Sequence, residues 1–302
     1  MKIYLENVNT SSNSGPNSFA KKLIPELEKQ GCEFTQDAEA EVSLCFIESH
    51  RKNMAIPRIQ RLDGIYFNIE QNYHNLNSNI KRTYLESQGI VFQSEFNKKL
   101  ISKYFGEPEN STVIHNGADI ASIDTTRAMS KGKYDNIWSC AASWRPHKRL
   151  NENIRYFLEH KGENDLLVVA GEVPPEERIK DDNIAYFGKL SQIQLFSLYK
   201  ASTNFLHLAW LDHCPNVVVD ARACGCHIIC SSDGGTKEIA GMNSTIIEEV
   251  QPWDFEPTKL YKPPQMDFQR KIKNDFKSCY DMEKVAKLYK SFMESTIRNE
   301  NN

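Results

Sequence analysis

Leu211-Asp-His-Cys-Pro-Asn-Val-Val-Val-Asp-Ala-Arg-Ala-Cys-Gly-Cys226 is the stretch whose reading decides the fold. Pro215 and Asn216 carry a helix start, because proline suits a first turn and asparagine a cap. The helix predicted from there runs to Cys224 and stops at Gly225, a residue type favoured just past a helix end. Its amino end turns the backbone N–H groups near Asn216 to Val218 toward the preceding loop. Unsatisfied donors and the helix dipole both favour an anion at such a place. Asp212 lies before this helix and Asp220 on it, a spacing that would bracket a ligand carrying hydroxyl groups. The same residues also fit a capped core helix with two solvated aspartates.

Outward from that stretch, short β-branched and aromatic runs alternate with amphipathic segments, the pattern of an α/β chain with parallel sheets covered on both faces. Toward the C-terminus of the chain the strands are Asn136–Cys140, Asp165–Gly171, Asn183–Gly188, Asn204–Leu208 and His227–Ser231, with a helix over Ser191–Ala201. Toward the N-terminus they are Lys2–Glu6, Glu41–Ile47, Gly89–Gln93 and Thr112–Gly117. A helix ending near Gln30 carries Phe19, Leu23 and Leu27 on one stripe, and Pro25 is expected to kink it or delay its regular part. A last helix from Asp281 to about Arg298 carries Val285, Leu288 and Phe292. The polar run Asp119–Tyr134 reads as an interdomain linker. The expected division is 1–125 together with the last helix (about 281–302), and 126–280.

The 302 residues suffice for two domains of ordinary size, and 40% apolar, 25% charged and a net charge of -3 are values of a globular chain. Nucleic acid is not an expected partner, since phosphate tracks need clustered Lys and Arg. The densest basic run, Arg145-Pro-His-Lys148-Arg149, suits a small diphosphate instead. Neither a signal peptide nor a stretch approaching the ~20 apolar residues of a spanning helix is found. Together with the scattered cysteines this leads to the expectation of a cytoplasmic protein with free thiols, one that can still associate peripherally with a membrane. Cys224, Cys226, His227 and Cys230 would suggest a metal, but the helix–turn–strand reading separates them, so no metal is expected. The dinucleotide fingerprint G-x-G-x-x-G is absent after the first strand.

The opening stretch resembles the E-x7-E region of family 4 retaining glycosyltransferases, proteins of GT-B fold with two facing Rossmann-like domains. The match runs through Asp212, Cys214-Pro-Asn-Val-Val, Asp220-Ala, Ala223-Cys-Gly225 and Gly234-Gly-Thr-Lys-Glu-Ile239. Aspartate replaces glutamate at both acidic positions, and Cys226-His227 stands where the family has another residue and proline. In order along the chain, Val113-Ile-His-Asn-Gly117, Ala142–Leu150 and Phe187-Gly188 resemble further family segments. Arg145 and Lys148 resemble its basic pair at a shorter spacing.

The resemblance implies a retaining transfer from a nucleotide-diphosphate sugar without a metal or other cofactor, to a glycan, lipid-linked or small-molecule acceptor. It implies Asp212, Lys148 and Arg145 as catalytic groups. Asp220, His213, Cys214, Pro215, Asn216 and Val217 would bind the donor, with Phe187 and Gly188 near the base and Gly15 near the phosphate. Asp63, in Arg61-Leu-Asp-Gly-Ile-Tyr66, and His115 would be acceptor-side contacts. The final helix would cross back to the N-terminal domain. Fixed cations and backbone donors stabilise the departing diphosphate as the sugar–phosphate bond breaks. His50 and His74 fall in no matching motif. A binding protein of the same fold without transferase activity is the alternative.

Overall fold

The computed structural model describes residues 1–52 and 54–300, which divide into two compact units. The first holds Met1–Ala118, Phe255–Thr258 and the chain from Cys279 on, and the second holds Asp119–Asp254 and Lys259–Ser278. The first unit's main stretch therefore ends at Ala118, not at 125.

In the first unit, strands β1 (Lys2–Glu6), β2 (Glu33–Phe34), β3 (Val42–Phe46), β4 (Arg58–Leu62), β5 (Gly89–Phe92) and β6 (Ser111–Val113) make a parallel sheet in the order β2-β1-β3-β4-β5-β6. Parallel neighbours need crossover connections, supplied in part by helices α1 (Gly15–Lys29), α2 (Tyr73–Glu86) and α3 (Glu95–Phe105). The α1 stripe of Phe19, Leu23 and Leu27 is buried against Ile3, Val42, Leu44, Phe46 and Ile59. α1 begins at Gly15 and runs unbroken through Pro25, which lies on its exposed side. The terminal helix packs in the same core, burying Met282, Val285, Ala286, Tyr289 and Met293. That i, i+3, i+4, i+7 spacing defines the packed stripe, and Leu288, one of the apolar residues named on this helix from the sequence, is 51% exposed.

β4 escapes a search for apolar alternation because Arg58, Gln60 and Arg61 are polar and yet buried. Each has partners that offset its desolvation. Arg58 Nε donates to Glu6 at 3.0 Å, Gln60 Nε2 donates to the Ile47 and Ile80 carbonyls, and Arg61 is bonded as described below.

The second unit opens with α4 (Ile120–Thr125), capped by Asp119, whose side chain accepts the Ser122 N–H at 3.0 Å. This short helix occupies the start of the expected linker. It is tied down by Lys200, which donates to the carbonyls of Ile123 and Thr126 at 2.7 and 2.8 Å. Then follow β7 (Asn136–Ala141), α5 (Leu150–His160), β8 (Asp165–Ala170), β9 (Ile184–Gly188), α6 (Gln192–Ala201), β10 (Ser202–His207), α7 (Asn216–Ala223), β11 (His227–Ser231), α8 (Thr236–Ala240), β12 (Thr245–Ile247) and β13 (Lys271–Ile272). The sheet order is β13-β12-β11-β10-β7-β8-β9, parallel except for β13 against β12. Trp138, Cys140, Phe157, Leu167, Val169, Leu206 and Ile229 belong to its core. From β7 the chain winds first through β8 and β9, then returns to β10 on the other side. The strand order reverses between β7 and β10, and in open parallel sheets ligands bind outside the carboxyl ends of the strands at such a point.

Candidate active site

The loop after β7 is built to present Lys148. Pro146–Lys148 form a single 3-10 turn, and Arg149 enters α5 in the left-handed conformation at φ 53°. The buried Arg149 guanidinium pairs with the buried Glu249 through two bonds, at 2.5 and 3.0 Å, and donates to the Pro264 carbonyl at 2.8 Å. Asn153, from the first turn of α5, donates to the carbonyls of Lys148 and Arg149 at 3.1 and 2.8 Å and accepts the Leu208 N–H at 3.1 Å. One buried asparagine thus fastens the loop after β7 to the end of β10.

Asp212 meets Lys148 there. The Lys148 ammonium lies 2.5 Å from Asp212 Oδ2, and His207 Nε2, on the last residue of β10, lies 2.8 Å from the same oxygen. Asp212 Oδ1 accepts the His213 N–H at 3.1 Å. Burial favours the neutral form of Asp212, but the Lys148 charge and the His207 bond outweigh it and hold the carboxyl well below its usual range. Burial lowers the pKa of His207 against the opposing pull of Asp212, so the imidazole is neutral near pH 7 and its Nε2–H donates.

The backbone around Asp212 is equally constrained. Leu211 is left-handed, at φ 59°, and its N–H donates to the Asp233 carbonyl at 3.1 Å. The Asp212 carbonyl accepts the Gly235 N–H at 2.7 Å. A β-carbon at Gly234, whose φ is +121°, would fall 2.6 Å from that same carbonyl oxygen. Only glycine permits this approach, which explains the first glycine of the Gly-Gly pair following β11.

The remaining sequence-derived donor residues lie around the carboxyl edge of the sheet. Pro215 occupies the cap position of α7 and Asn216 its first turn, with Cys214 buried just before. The expected set of open N–H groups there loses Val218, which donates to the Pro215 carbonyl at 3.1 Å. Val217 is half-buried between them, and the His213 ring is neutral near pH 7, burial lowering its pKa to about 4. Asp220 is buried on α7, where its charge acts on Tyr199 and Cys224. Gly188 closes β9 at φ +65°, its carbonyl accepting the Gly171 N–H at 2.7 Å, and Phe187 beside it is exposed. Arg145 is exposed at the start of the 3-10 turn, outside the Lys148–Asp212–His207 cluster.

In the first unit, Gly15 is the first residue of α1, where a β-carbon would meet open space. Asp63 follows β4, and its Oδ1 accepts from Arg61 Nη1 at 2.5 Å and from Gln93 Nε2. His115 is half-buried, next to Asn116, whose Oδ1 accepts from Arg61 Nη2 at 2.8 Å.

His207 and Glu249 carry no motif signal, while Arg149 and Arg61 stand in the quoted strings with no role assigned to them. His207 reads as one more strand residue until the turn at Leu211 folds Asp212 back onto it. Among the described residues no three His, Cys, Asp or Glu side chains gather as a metal site, and the eight cysteines are free thiols. No helix of the described residues is long and apolar enough to cross a membrane.

Two parallel-dominated sheets of this kind define the GT-B fold of glycosyltransferases. Residues 126–256, the part of the chain that carries Lys148, His207 and Asp212, match the family model of glycosyl transferases group 1. Solved structures share the fold across almost the whole chain. HepE of Anabaena in complex with UDP-glucose superimposes with a TM-score of 0.68 at 12% identity, over 98% of this chain and 100% of HepE. AviGT4, a glycosyltransferase of avilamycin A biosynthesis, gives 0.64 at 13% identity, over 99% and 98%. Sucrose-phosphate synthase from Thermosynechococcus elongatus gives 0.65 at 9% identity, over 100% and 98%. No curated protein sequence matches the chain.

Proposed function

We propose that this protein is a retaining glycosyltransferase of family 4 type that moves a hexosyl group from a UDP- or GDP-sugar to a hydroxyl of a glycan, lipid-linked glycan or small molecule. The observation that carries the reading is the Lys148–Asp212–His207 cluster at the strand-order reversal between β7 and β10. HepE, of the same fold, holds UDP-glucose, which supports a nucleotide sugar as donor here. In the reaction the bond between the anomeric carbon and the phosphate oxygen breaks and a bond to the acceptor oxygen forms. The acceptor's proton passes to the departing diphosphate, the route implied by the family resemblance. Lys148 would exchange its contact with Asp212 for the diphosphate and stabilise the charge that develops there. Asp212, released from Lys148 yet still held by His207, would accept hydroxyl groups of the donor sugar. Arg145, exposed beside this loop, would add a second cation on binding. No metal enters this scheme, and the reaction is assigned to the cytoplasm, with peripheral membrane association for a lipid-linked acceptor.

A thermal-shift panel of UDP-, GDP-, ADP- and dTDP-sugars, with and without chelator, tests it. A donor at 100 times its dissociation constant should add about 2.7 kcal/mol to stability, and the shift should survive chelation. Folded protein that responds to no donor would remove the transferase reading. The ammonium of Lys148 is already engaged by Asp212, an observation that equally suits a protein that only binds sugar nucleotides. Slow release of free sugar from the donor, with water as acceptor, separates the two.

A further inference from the structure

The two residues that flank Lys148 are both held by one short stretch of the second unit. Arg149, on one side, donates through Nη2 to the Pro264 carbonyl at 2.8 Å. His147, on the other side, lays its imidazole against the Tyr261 ring, with centroids 5.6 Å apart and planes at 24°. Tyr261 and Pro264 are three positions apart in the chain. They lie far along the sequence from Lys148, outside the basic run and outside the stretch around Asp212.

Neither residue belongs to a helix or strand, yet the backbone that carries them is anchored. The Lys262 N–H donates to the Lys259 carbonyl at 2.9 Å and closes a turn around Tyr261. Pro263 and Pro264 follow, each with φ fixed by its own ring. Just beyond them Arg155 of α5 donates to the Met266 carbonyl at 2.7 Å and lies over the Phe268 ring at 3.8 Å. Met266 and Phe268 are buried in the same core as Phe157 and Leu167. The Tyr261 ring is therefore carried on a tethered span.

The His147 ring is where that span meets the Lys148 loop. His147 is 8% exposed, and its Nδ1 has no partner among the described residues. With no bond at that nitrogen, packing has to set the tilt of the ring, and Tyr261 supplies an aromatic face for it. The backbone is held from another side, the His147 carbonyl accepting the Trp210 N–H at 2.8 Å. Burial, with the Lys148 charge adding to it, keeps the imidazole neutral. The ring thus brings no second positive charge against the ammonium beside it.

We propose that Tyr261 is a positioning residue for Lys148, setting through the His147 ring where the ammonium lies relative to Asp212. Its effect on turnover rests on the transferase reading, whereas its effect on the place of Lys148 rests on the packing alone. A fixed cation stabilises a departing diphosphate only where it is aimed. Without the Tyr261 ring the His147 ring tilts, the turn Pro146–Lys148 shifts with it, and the ammonium leaves its set position.

Two readouts on the full chain test this. The first is the NMR signal of the Lys148 ε-methylene group in protein carrying 13C-labelled lysine, assigned by its loss in Lys148→Ala. The second is release of free sugar from UDP-glucose and from GDP-mannose. Tyr261→Ala should move the Lys148 signal, and it should lower sugar release about tenfold or more, since small misplacements of reacting groups are costly. Tyr261→Phe keeps the ring and should restore both readings. Tyr261→Leu, which keeps apolar bulk without a flat ring, should behave as Tyr261→Ala does and keeps the test open if the alanine variant fails to fold. Leu158→Ala, which loosens the core of the same unit, should lower the melting temperature and leave the Lys148 signal in place. A wild-type protein that releases no sugar, with the signal still moving in Tyr261→Ala or Tyr261→Leu, would support the positioning role and remove only the transferase reading. An unmoved Lys148 signal in folded Tyr261→Ala or Tyr261→Leu would overturn the proposal, and so would an equal displacement in Leu158→Ala.

Discussion

Lys148 and Asp212 come from the ends of two strands adjacent in the sheet but far apart in sequence, and they meet in a 2.5 Å ion pair at the point where strand order reverses. The backbone on both sides is held: Asn153 donates to the Lys148 carbonyl, and the Gly235 N–H donates to the Asp212 carbonyl. The pair is therefore a set geometry, not a surface encounter of two flexible side chains.

Lys148→Ala is expected to abolish most turnover and spare the fold. Removing one preorganised charge from a transition state costs roughly a hundred- to a thousandfold in rate. Asp212 keeps its bonds from His207 and the His213 N–H, so the fold should survive, with some loss of stability because the Lys148 charge is what most holds the Asp212 carboxylate ionised. Single-turnover transfer rates alongside melting temperatures check this, and near-normal rates would take the diphosphate role away from Lys148.

His207 is expected to act through Asp212. His207→Phe keeps the ring volume and removes the bond to Oδ2, leaving Lys148 as the only side chain on that oxygen among the described residues. Turnover should fall roughly tenfold or more while donor affinity changes less, because losing one well-aligned contact to a charged group costs about 1.5–3 kcal/mol. Equal losses in kcat and in donor affinity for His207→Phe and His207→Asn would point to packing alone.

Stability should fall on mild acidification. Burial lowers the pKa of His207, holds His147 at about 3, with the Lys148 charge adding to the effect, and lowers His213 to about 4. In the unfolded chain a histidine takes up its proton near pH 6.5. Below that value the unfolded state gains protons that the folded state refuses. Each such histidine then costs about 1.4 kcal/mol per pH unit as pH falls from ~6.5 toward its folded value. Asp212 acts at lower pH: its depressed pKa gives stability above ~4 that is lost as pH drops through the folded value. Urea midpoints at pH 7, 5.5 and 4.5 should decline in steps, and a flat profile would contradict neutral buried histidines.

Much of the second unit was legible in the sequence, and the reasons are physical. Each of the strands β7 to β11 is a short apolar run, and Pro215 with Gly225 marks the ends of α7. What stayed hidden is polar and depends on distant partners. β4 looks unlike a strand because Arg58, Gln60 and Arg61 become acceptable inside only once Glu6, the Ile47 and Ile80 carbonyls and Tyr289 surround them. Likewise the stripe of the terminal helix runs through Tyr289 and Met293, with Leu288 facing solvent. A leucine and a tyrosine at adjacent positions compete for the same core, and periodicity alone does not choose between them. His207 belongs to this hidden set, since its role exists only after Leu211 adopts a left-handed turn.

Two glycines near the site should answer alanine substitution very differently. Gly188→Ala meets open space and bears only the positive φ of +65°, a cost of about 1–2 kcal/mol. Gly234→Ala places a β-carbon 2.6 Å from the Asp212 carbonyl oxygen and 3.0 Å from its nitrogen, both backbone atoms that cannot step aside alone. The Asp212 loop has to move with it, so donor binding should be lost along with stability. Calorimetry and donor titration on both variants separate the cases. Intact donor affinity in Gly234→Ala would mean that the contact does not position Asp212.

The Arg149–Glu249 pair sets how firmly the Lys148 loop is held. Both side chains are buried, at 3% and 0% exposure, and they share two hydrogen bonds. Glu249→Gln keeps the shape and strands the arginine charge, which for a buried pair costs about 3–5 kcal/mol. Replacing both, by Arg149→Met with Glu249→Leu, removes charge and counter-charge together and should be less destabilising than the sum of the single changes. The double variant separates stability from position, since its Lys148 loop has lost the bonds to Pro264 and Leu208. Turnover should stay depressed in it even where the melting temperature recovers. Recovery of both together would show that Arg149 supports the fold and has no part in aiming Lys148.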